Sequence, residues 1–170
     1  QDFNQSIFKP RTIEEVSAII KECYKKNIPL EVRGLNSKKK IGRNFQSEKT
    51  LDISNYSGII DYKPEELYIK VRAGTPLKEI KLELDKHNQQ LAFEPVDFGP
   101  LFSGKNNEGS IGGVISCNFA GPSRFKVGSA RDHVLGFQGV NGKGEIIKSG
   151  GTVVKNVTGY DLSKLLTGSF

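Results

Sequence analysis

Residues 29–38 read Pro29-Leu30-Glu31-Val32-Arg33-Gly34-Leu35-Asn36-Ser37-Lys38. A short strand over 29–32 runs straight into a polar loop built on glycine. Gly34 and Asn36 both tolerate left-handed backbone, so successive N–H groups of such a loop can converge on one anion. Lys38, Lys39, Lys40 and Arg43 add positive potential. Upstream, Thr12 precedes Ile13-Glu14-Glu15, which puts Glu15 at the reciprocal position of a capping box. Val16, Ile19, Ile20 and Cys23 then recur at helical spacing, and Lys25-Lys26-Asn27 ends the helix. A helix, a strand and a glycine loop in that order begin an α/β pattern.

Downstream, short strands are expected at 50–53, 59–62, 67–73 and 91–93, the third alternating apolar and polar residues. Thr75-Pro76 is expected to start a second helix, because proline suits the first helical turn. Leu77, Ile80, Leu82 and Leu84 would form its apolar face. Residues 95–131 carry Gly99, Gly104, Gly109, Gly112, Gly113, Gly121 and Gly128. They read as a long irregular segment, which compact domains rarely carry without a functional reason. Within it, Gly109-Ser110-Ile111-Gly112-Gly113 precedes Val114-Ile115. The missing side chains would let a bulky ligand lie on the main chain, and a following short helix would offer its N-terminus to phosphate. Asn141-Gly142-Lys143-Gly144 predicts a hairpin between 134–140 and 145–147, and 160–166 a closing helix.

Composition narrows the chemistry. The 170 residues hold 36% hydrophobic and 26% charged residues, which excludes a long disordered tail, and no apolar run reaches the length of a membrane span. The formal charge of +6 suits an anionic partner or cofactor. Nucleic acid is a poor fit, because the dense basic patch is confined to one loop rather than spread along an aromatic-studded face. His87, His133, Cys23 and Cys117 stand at no metal-ligand spacing, and the cysteines read as two free thiols. No Gly-x-Ser-x-Gly elbow, Walker loop or Gly-x-Gly-x-x-Gly fingerprint in its strand–helix context is present. Two glycine loops in one small basic domain point to a phosphate-bearing cofactor. With no methionine and an end at Thr167-Gly168-Ser169-Phe170, the chain reads as a piece of a longer protein.

The order of blocks then carries a resemblance. Arg33-Gly34-x-Asn36-Ser37-Lys38 is followed by Leu51-Asp52-Ile53-Ser54, Glu65-Glu66-Leu67 and Ala73-Gly74-Thr75-Pro76-Leu77. Leu91-Ala92-Phe93-Glu94-Pro95, Ile111-Gly112-Gly113, Gly121-Pro122 and Gly128-Ser129-x-Arg131-Asp132-His133-Val134-Leu135-Gly136 come next. Gly150-Gly151-x-x-x-Lys155-Asn156-Val157-x-Gly159-Tyr160-Asp161 and Gly168-Ser169 complete the set. Over nearly the whole chain this resembles the PCMH-type FAD-binding domain of the vanillyl-alcohol-oxidase flavoprotein superfamily. Within that superfamily it is most like the FAD-binding E subunits of bacterial glycolate oxidases.

The resemblance implies an α+β fold in two lobes. Residues 1–55 would form a small lobe with a short parallel sheet, and residues 56–170 a larger lobe with a mainly antiparallel sheet, FAD lying between them. It implies FAD contacts at Arg33, Gly34, Leu35, Asn36, Ser37 and Lys38, and at Ser110, Ile111, Gly112 and Gly113, the two diphosphate loops. Asn118, Gly121, Pro122, Gly128, Ser129, Asp132 and Pro95 would follow along the rest of the cofactor. Lys155 and Tyr160 match a block without an assigned role. Asn36 stands where relatives usually carry glycine, and with no histidine in the first loop the attachment would be noncovalent. The implied function is hydride transfer from the α-carbon of a 2-hydroxy acid, most simply glycolate, to FAD. Partners would be a second flavoprotein subunit and an iron–sulfur subunit, in the cytoplasm or peripherally at the inner face of the bacterial membrane. The alternatives on the same scaffold are a D-lactate dehydrogenase, a UDP-sugar reductase, or a non-catalytic cofactor-binding subunit. A substrate cap domain is not among these residues, so residues 1–170 alone are expected to be inactive, and the sequence offers no catalytic base.

Overall fold

The computed structural model describes residues 3–38, 47–97, 100, 109–150 and 165–168. Helix α1 spans Ile13–Lys25, and the Thr12 side chain accepts a hydrogen bond from the Glu15 N–H at 3.2 Å. Such a cap contributes about 1 kcal/mol. The Glu15 carboxylate reaches one residue further back than expected, to the Arg11 N–H at 2.7 Å. Strands β1 (Ile7–Phe8), β2 (Leu30–Arg33) and β3 (Lys49–Asp52) form a parallel sheet in the order β1-β3-β2. Phe8 and Leu51 from the sheet bury against Val16, Ile19 and Cys23 of α1. This is the first hydrophobic cluster.

After β3 the chain makes a 3-10 turn, Ile53–Asn55, which the sequence pattern did not suggest. Strands β4 (Ile59–Lys63) and β5 (Tyr68–Val71) pair antiparallel. The expected joint between them is a second 3-10 turn, Pro64–Glu66, closed by Leu67 in the left-handed region at φ 56°. Helix α2 spans Leu77–Asp85 and differs from expectation in two ways. Pro76 is extended and lies outside the helix, where it forms a lone antiparallel bridge with Ser110. Leu82 is 57% exposed, whereas Leu77, Ile80 and Leu84 are buried. At 100° per residue, position 82 points nearly opposite to position 80.

Leu91–Phe93 is not a strand. Phe93 is a single buried anchor, and ladder pairing is limited to one bridge between Pro95 and Ala120. The described part of the segment read as irregular carries three short helices: α3 (Ile111–Cys117), α4 (Arg124–Val127) and α5 (Ala130–His133). Ile111, Val114 and Ala130 join Leu77, Ile80, Leu84 and Phe93 in the second hydrophobic cluster. The expected hairpin forms from β6 (Gly136–Val140) and β7 (Ile146–Gly150). Its turn is organised by Asn141, whose Oδ1 accepts from the N–H groups of Lys143 and Glu145. The Gly144 carbonyl accepts from the Ser17 hydroxyl at 2.6 Å, and Val140 packs on the first cluster, so the hairpin seats on α1. Cys23 and Cys117 are free thiols. Leu165 and Leu166 are helical, and the rest of the expected closing helix lies outside the described residues.

Candidate functional site

The two glycine loops meet. Ser110, 3% exposed, stands before α3, and its hydroxyl lies where a Cβ on Gly34 would come within 2.6 Å. The converse contact holds as well. A Cβ on Gly109, whose φ is +76°, would come within 2.5 Å of the Ser37 hydroxyl. Each loop thus presses a serine into the space that glycine leaves open in the other. The left-handed backbone expected at Asn36 is present, with φ 62°. Lys38 completes the contact: its Nζ lies 3.7 Å from the Cβ position of Gly109 and 3.6 Å from that of Gly113. Burial pushes the Lys38 ammonium below the ordinary lysine value, and the nearby Cys117 and Asp97 oppose that only in part.

A strap not assigned a role from the sequence holds the second loop. The Gly112 N–H donates to the Ala73 carbonyl at 2.9 Å and the Ile111 N–H to the Thr75 carbonyl at 3.0 Å. The Leu77 N–H donates to the Gly109 carbonyl at 3.0 Å. Thr75 is fully buried, and its hydroxyl donates to the Arg72 carbonyl at 2.6 Å and accepts from the Gly58 N–H at 2.9 Å. The signal for this strap was the break in alternation at Ala73-Gly74-Thr75-Pro76. The role of Asp97 beside Lys38 had no local signal.

The other expected site residues divide into groups. The Arg33 guanidinium is engaged by Asp52 at 3.3 Å and shapes the base of the first loop. Burial alone would raise the Asp52 carboxyl, but bonds from Ser54 and the Arg33 charge together hold it below the usual carboxylate range. Pro95 and Gly121 are brought together: Pro95 bridges to Ala120, and the Gly121 N–H donates to the Glu94 carbonyl at 2.9 Å. Pro122 follows on the exposed side of that bridge. Gly128, Ser129 and Asp132 build the start of α5, where the Asp132 carboxylate accepts from the Ser129 N–H at 2.8 Å and from its hydroxyl at 3.1 Å. Asn118 ends α3 in the left-handed region, and its Oδ1 accepts from the Arg131 N–H, tying α3 to α5. His133 Nε2 sits 2.7 Å from the Val127 carbonyl; a carbonyl only accepts, so this nitrogen carries the proton. Leu35 is half-buried at the turn of the first loop. Lys39, Lys40, Arg43, Lys155 and Tyr160 lie outside the described residues.

The residues present fit an anionic diphosphate. The Ser110 hydroxyl and the Lys38 ammonium lie 3.5 and 3.6 Å from where a Cβ on Gly113 would stand, and the bare glycine backbone between them leaves a cradle that such a Cβ would begin to fill. A cavity of about 510 Å³ between α1, β2 and the hairpin is lined by no charged residue, so it offers a diphosphate no counter-charge. No cluster of metal-ligating side chains occurs among the described residues.

Comparison with known proteins agrees. The model of a family described as an FAD binding domain matches residues 5–150. The glycolate oxidase subunit GlcE of Escherichia coli (strain K12) is 39% identical over 169 residues, 99% of this chain and 43% of that protein. The D-lactate dehydrogenase of Anaerostipes hadrus is 30% identical over 157 residues, 92% of this chain and 31% of that protein. Among solved structures, an alkyldihydroxyacetonephosphate synthase matches with a TM-score of 0.72 at 18% identity, covering 96% of this chain and 28% of its own. Phl p 4.0202, a glucose dehydrogenase, matches with a TM-score of 0.73 at 14% identity, covering 95% and 31%. The two structures share the α+β fold. This chain spans less than half the length of these relatives. By sequence and by fold, it belongs to the FAD binding domain family, and FAD is its cofactor.

Proposed function

We propose that the chain is the FAD-binding portion of a flavin-dependent 2-hydroxy-acid oxidoreductase subunit, with glycolate as the acid. The observation that carries this reading is the contact of the 33–38 loop with Gly109–Gly113 around Lys38. When bound, FAD supplies the hydride acceptor for the substrate α-carbon. The chain's own residues bind and orient. Ser37, Lys38 and Ser110 face the diphosphate, and Gly34, Leu35, Asn36, Ile111, Gly112 and Gly113 let backbone approach it. Arg33 holds the first loop from behind through Asp52. Pro95, Asn118, Gly121, Pro122, Gly128, Ser129 and Asp132 form the wall along the rest of the cofactor.

We keep a division into lobes 1–55 and 56–170, with FAD between, on the two hydrophobic clusters, although Val140 of the hairpin packs on the first of them, across that division. Noncovalent attachment is supported by the absence of histidine from 33–38. The Escherichia coli relative is a subunit of glycolate oxidase, which supports assembly with other subunits; that these are a second flavoprotein and an iron–sulfur subunit is what the resemblance implies. No helix among the described residues is long and apolar enough to cross a membrane, and our reading places the complex in the cytoplasm or at the inner membrane face. The D-lactate dehydrogenase relative favours D-lactate as the second substrate to test. The full-length protein by itself, loaded with FAD, should keep visible flavin absorbance through gel filtration, and with its partner subunits it should reduce a dye with glycolate faster than with D-lactate. Flavin lost entirely on the column would overturn the cofactor reading. Faster turnover of D-lactate would overturn the choice of substrate.

A further inference from the structure

The segment from Gly121 to Val127 is ordered without a core of its own. Helix α4 is a single turn, too short to be stable by itself. It buries none of its residues, and Phe125 is 94% exposed. Side chains from elsewhere hold its two ends. At the start, the Glu94 carboxylate accepts from the Ser123 N–H at 3.2 Å, and the Glu94 carbonyl accepts from the Gly121 N–H at 2.9 Å. The carboxylate lies in the space that Gly121 leaves open, where a Cβ would collide with it. At the other end, His133 Nε2 donates to the Val127 carbonyl at 2.7 Å. Both clips trace back to one buried anchor. Phe93 precedes Glu94 in the chain, and its ring stacks on that of His133 with centroids 6.1 Å apart. We propose that Glu94 and His133 are positioning residues, which pin the two ends of 121–127 to Phe93 and thereby set the cofactor wall at Gly121–Pro122 and Gly128–Ser129. The proposal rests on the FAD-binding reading above and deepens it. Those four residues stand at the ends of the pinned segment, so a loose segment would leave the diphosphate loops intact and the wall beyond them unformed. Binding would then have to order the segment, and affinity falls with the fraction of chains in which it is already in place.

The test follows trypsin cleavage of the flavin-free, full-length protein after Arg124 and Lys126, both exposed within α4, by mass spectrometry of those two bonds. Each clip is one side-chain hydrogen bond, so its removal should raise the open population, and with it the cleavage rate, about 2–10-fold. Glu94→Ala and His133→Ala should each do so at an unchanged melting temperature. Glu94→Gln keeps an acceptor for the Ser123 N–H and should be cleaved as slowly as the native chain. Gly121→Ala, whose Cβ evicts the Glu94 carboxylate, should match Glu94→Ala. With both clips removed, fluorescence titration should show FAD bound about tenfold more weakly, while Glu94→Gln binds FAD as the native chain does. Bound FAD should also protect the two bonds from trypsin. Unchanged cleavage in Glu94→Ala and His133→Ala overturns the clips, and native FAD affinity in the double variant overturns their part in the cofactor wall. Failure of the native chain to bind FAD overturns the FAD-binding reading and the wall with it, and the cleavage rates tell that failure apart from a failure of the clips. If Glu94→Ala fails to fold, Gly121→Ala decides.

Discussion

Gly112 and Gly113 stand side by side in the first turn of α3, and alanine should act in opposite directions at the two positions. In a helix, alanine is favoured over glycine by about 1 kcal/mol. At Gly112 the new Cβ would lie 2.8 Å from the Ala73 carbonyl oxygen and 2.9 Å from the Ala73 Cβ, closer than real contacts allow. That carbonyl cannot swing away freely, because it accepts the Gly112 N–H at 2.9 Å, and the neighbouring strap bond from Ile111 to Thr75 spans 3.0 Å. Overpacking of this kind costs about 1–3 kcal/mol, and weakening either strap bond adds about 1 kcal/mol. The net loss for Gly112→Ala is therefore about 1–3 kcal/mol, or roughly 2–4 °C in melting temperature for each kcal/mol. At Gly113 the Cβ would meet the Ser110 hydroxyl at 3.5 Å and Lys38 Nζ at 3.6 Å, ordinary contact distances. Gly113→Ala should leave the flavin-free melting temperature unchanged or raise it by about 2–4 °C. It should nonetheless weaken FAD by about tenfold or more, because the methyl group occupies the cradle, a loss of about 1.4 kcal/mol or more. Thermal melts of the flavin-free full chain and fluorescence titration with FAD read the two effects separately. A Gly112→Ala chain as stable as the native one would refute the packing argument, and undiminished FAD binding by Gly113→Ala would refute the cradle.

Thr75→Val keeps the shape of a fully buried residue but leaves the Gly58 N–H without its partner. It should lower unfolding free energy by about 1–3 kcal/mol, seen as a lower urea midpoint at unchanged slope. Asp52 has a folded value below that of the unfolded chain, so its contribution is present above about pH 4 and is lost as pH falls through the folded value. Asp52→Asn should flatten the acid limb of stability in urea melts between pH 3 and 7, and an unaltered limb would remove Asp52 from the account. Leu67 is 79% exposed and holds a left-handed backbone, whereas every other non-glycine residue described with positive φ is asparagine. Leu67→Asn should raise the melting temperature, since left-handed strain costs an ordinary side chain about 1–2 kcal/mol; a lower melting temperature counts against it.

What the sequence revealed was what neighbouring residues decide among themselves. The Thr12 cap and the spacing of Val16, Ile19 and Cys23 define α1 within one residue of its observed ends. Asn141-Gly142-Lys143-Gly144 defines the hairpin because the two bonds that Asn141 Oδ1 accepts come from within the turn itself. Leu82 differs from expectation because its alternation with Ile80 and Leu84 looks like one apolar face, although residues two apart stand about 200° from each other around a helix. Pro76 was misjudged because its place is set by Ser110, which comes from a distant loop. At the site, the glycines were visible as glycines. Their purpose was not, since the space at Gly34 is defined by Ser110 and the space at Gly109 by Ser37. Only the resemblance placed those loops side by side, and it was silent on Asp97.

The interlocked serines and glycines also bear on when the site comes into being. The two loops are far apart in the chain, and closing so long an intervening segment costs entropy that local elements do not. Contacts of this kind tend to form late, after helices and hairpins. The flavin cradle therefore exists only in chains that have already completed their folding, and flavin captures those alone. A ligand that binds the finished state adds RT ln(1 + [L]/Kd) to its stability. The clasp therefore ties flavin binding to the finished fold, so bound flavin stabilises that state and none before it.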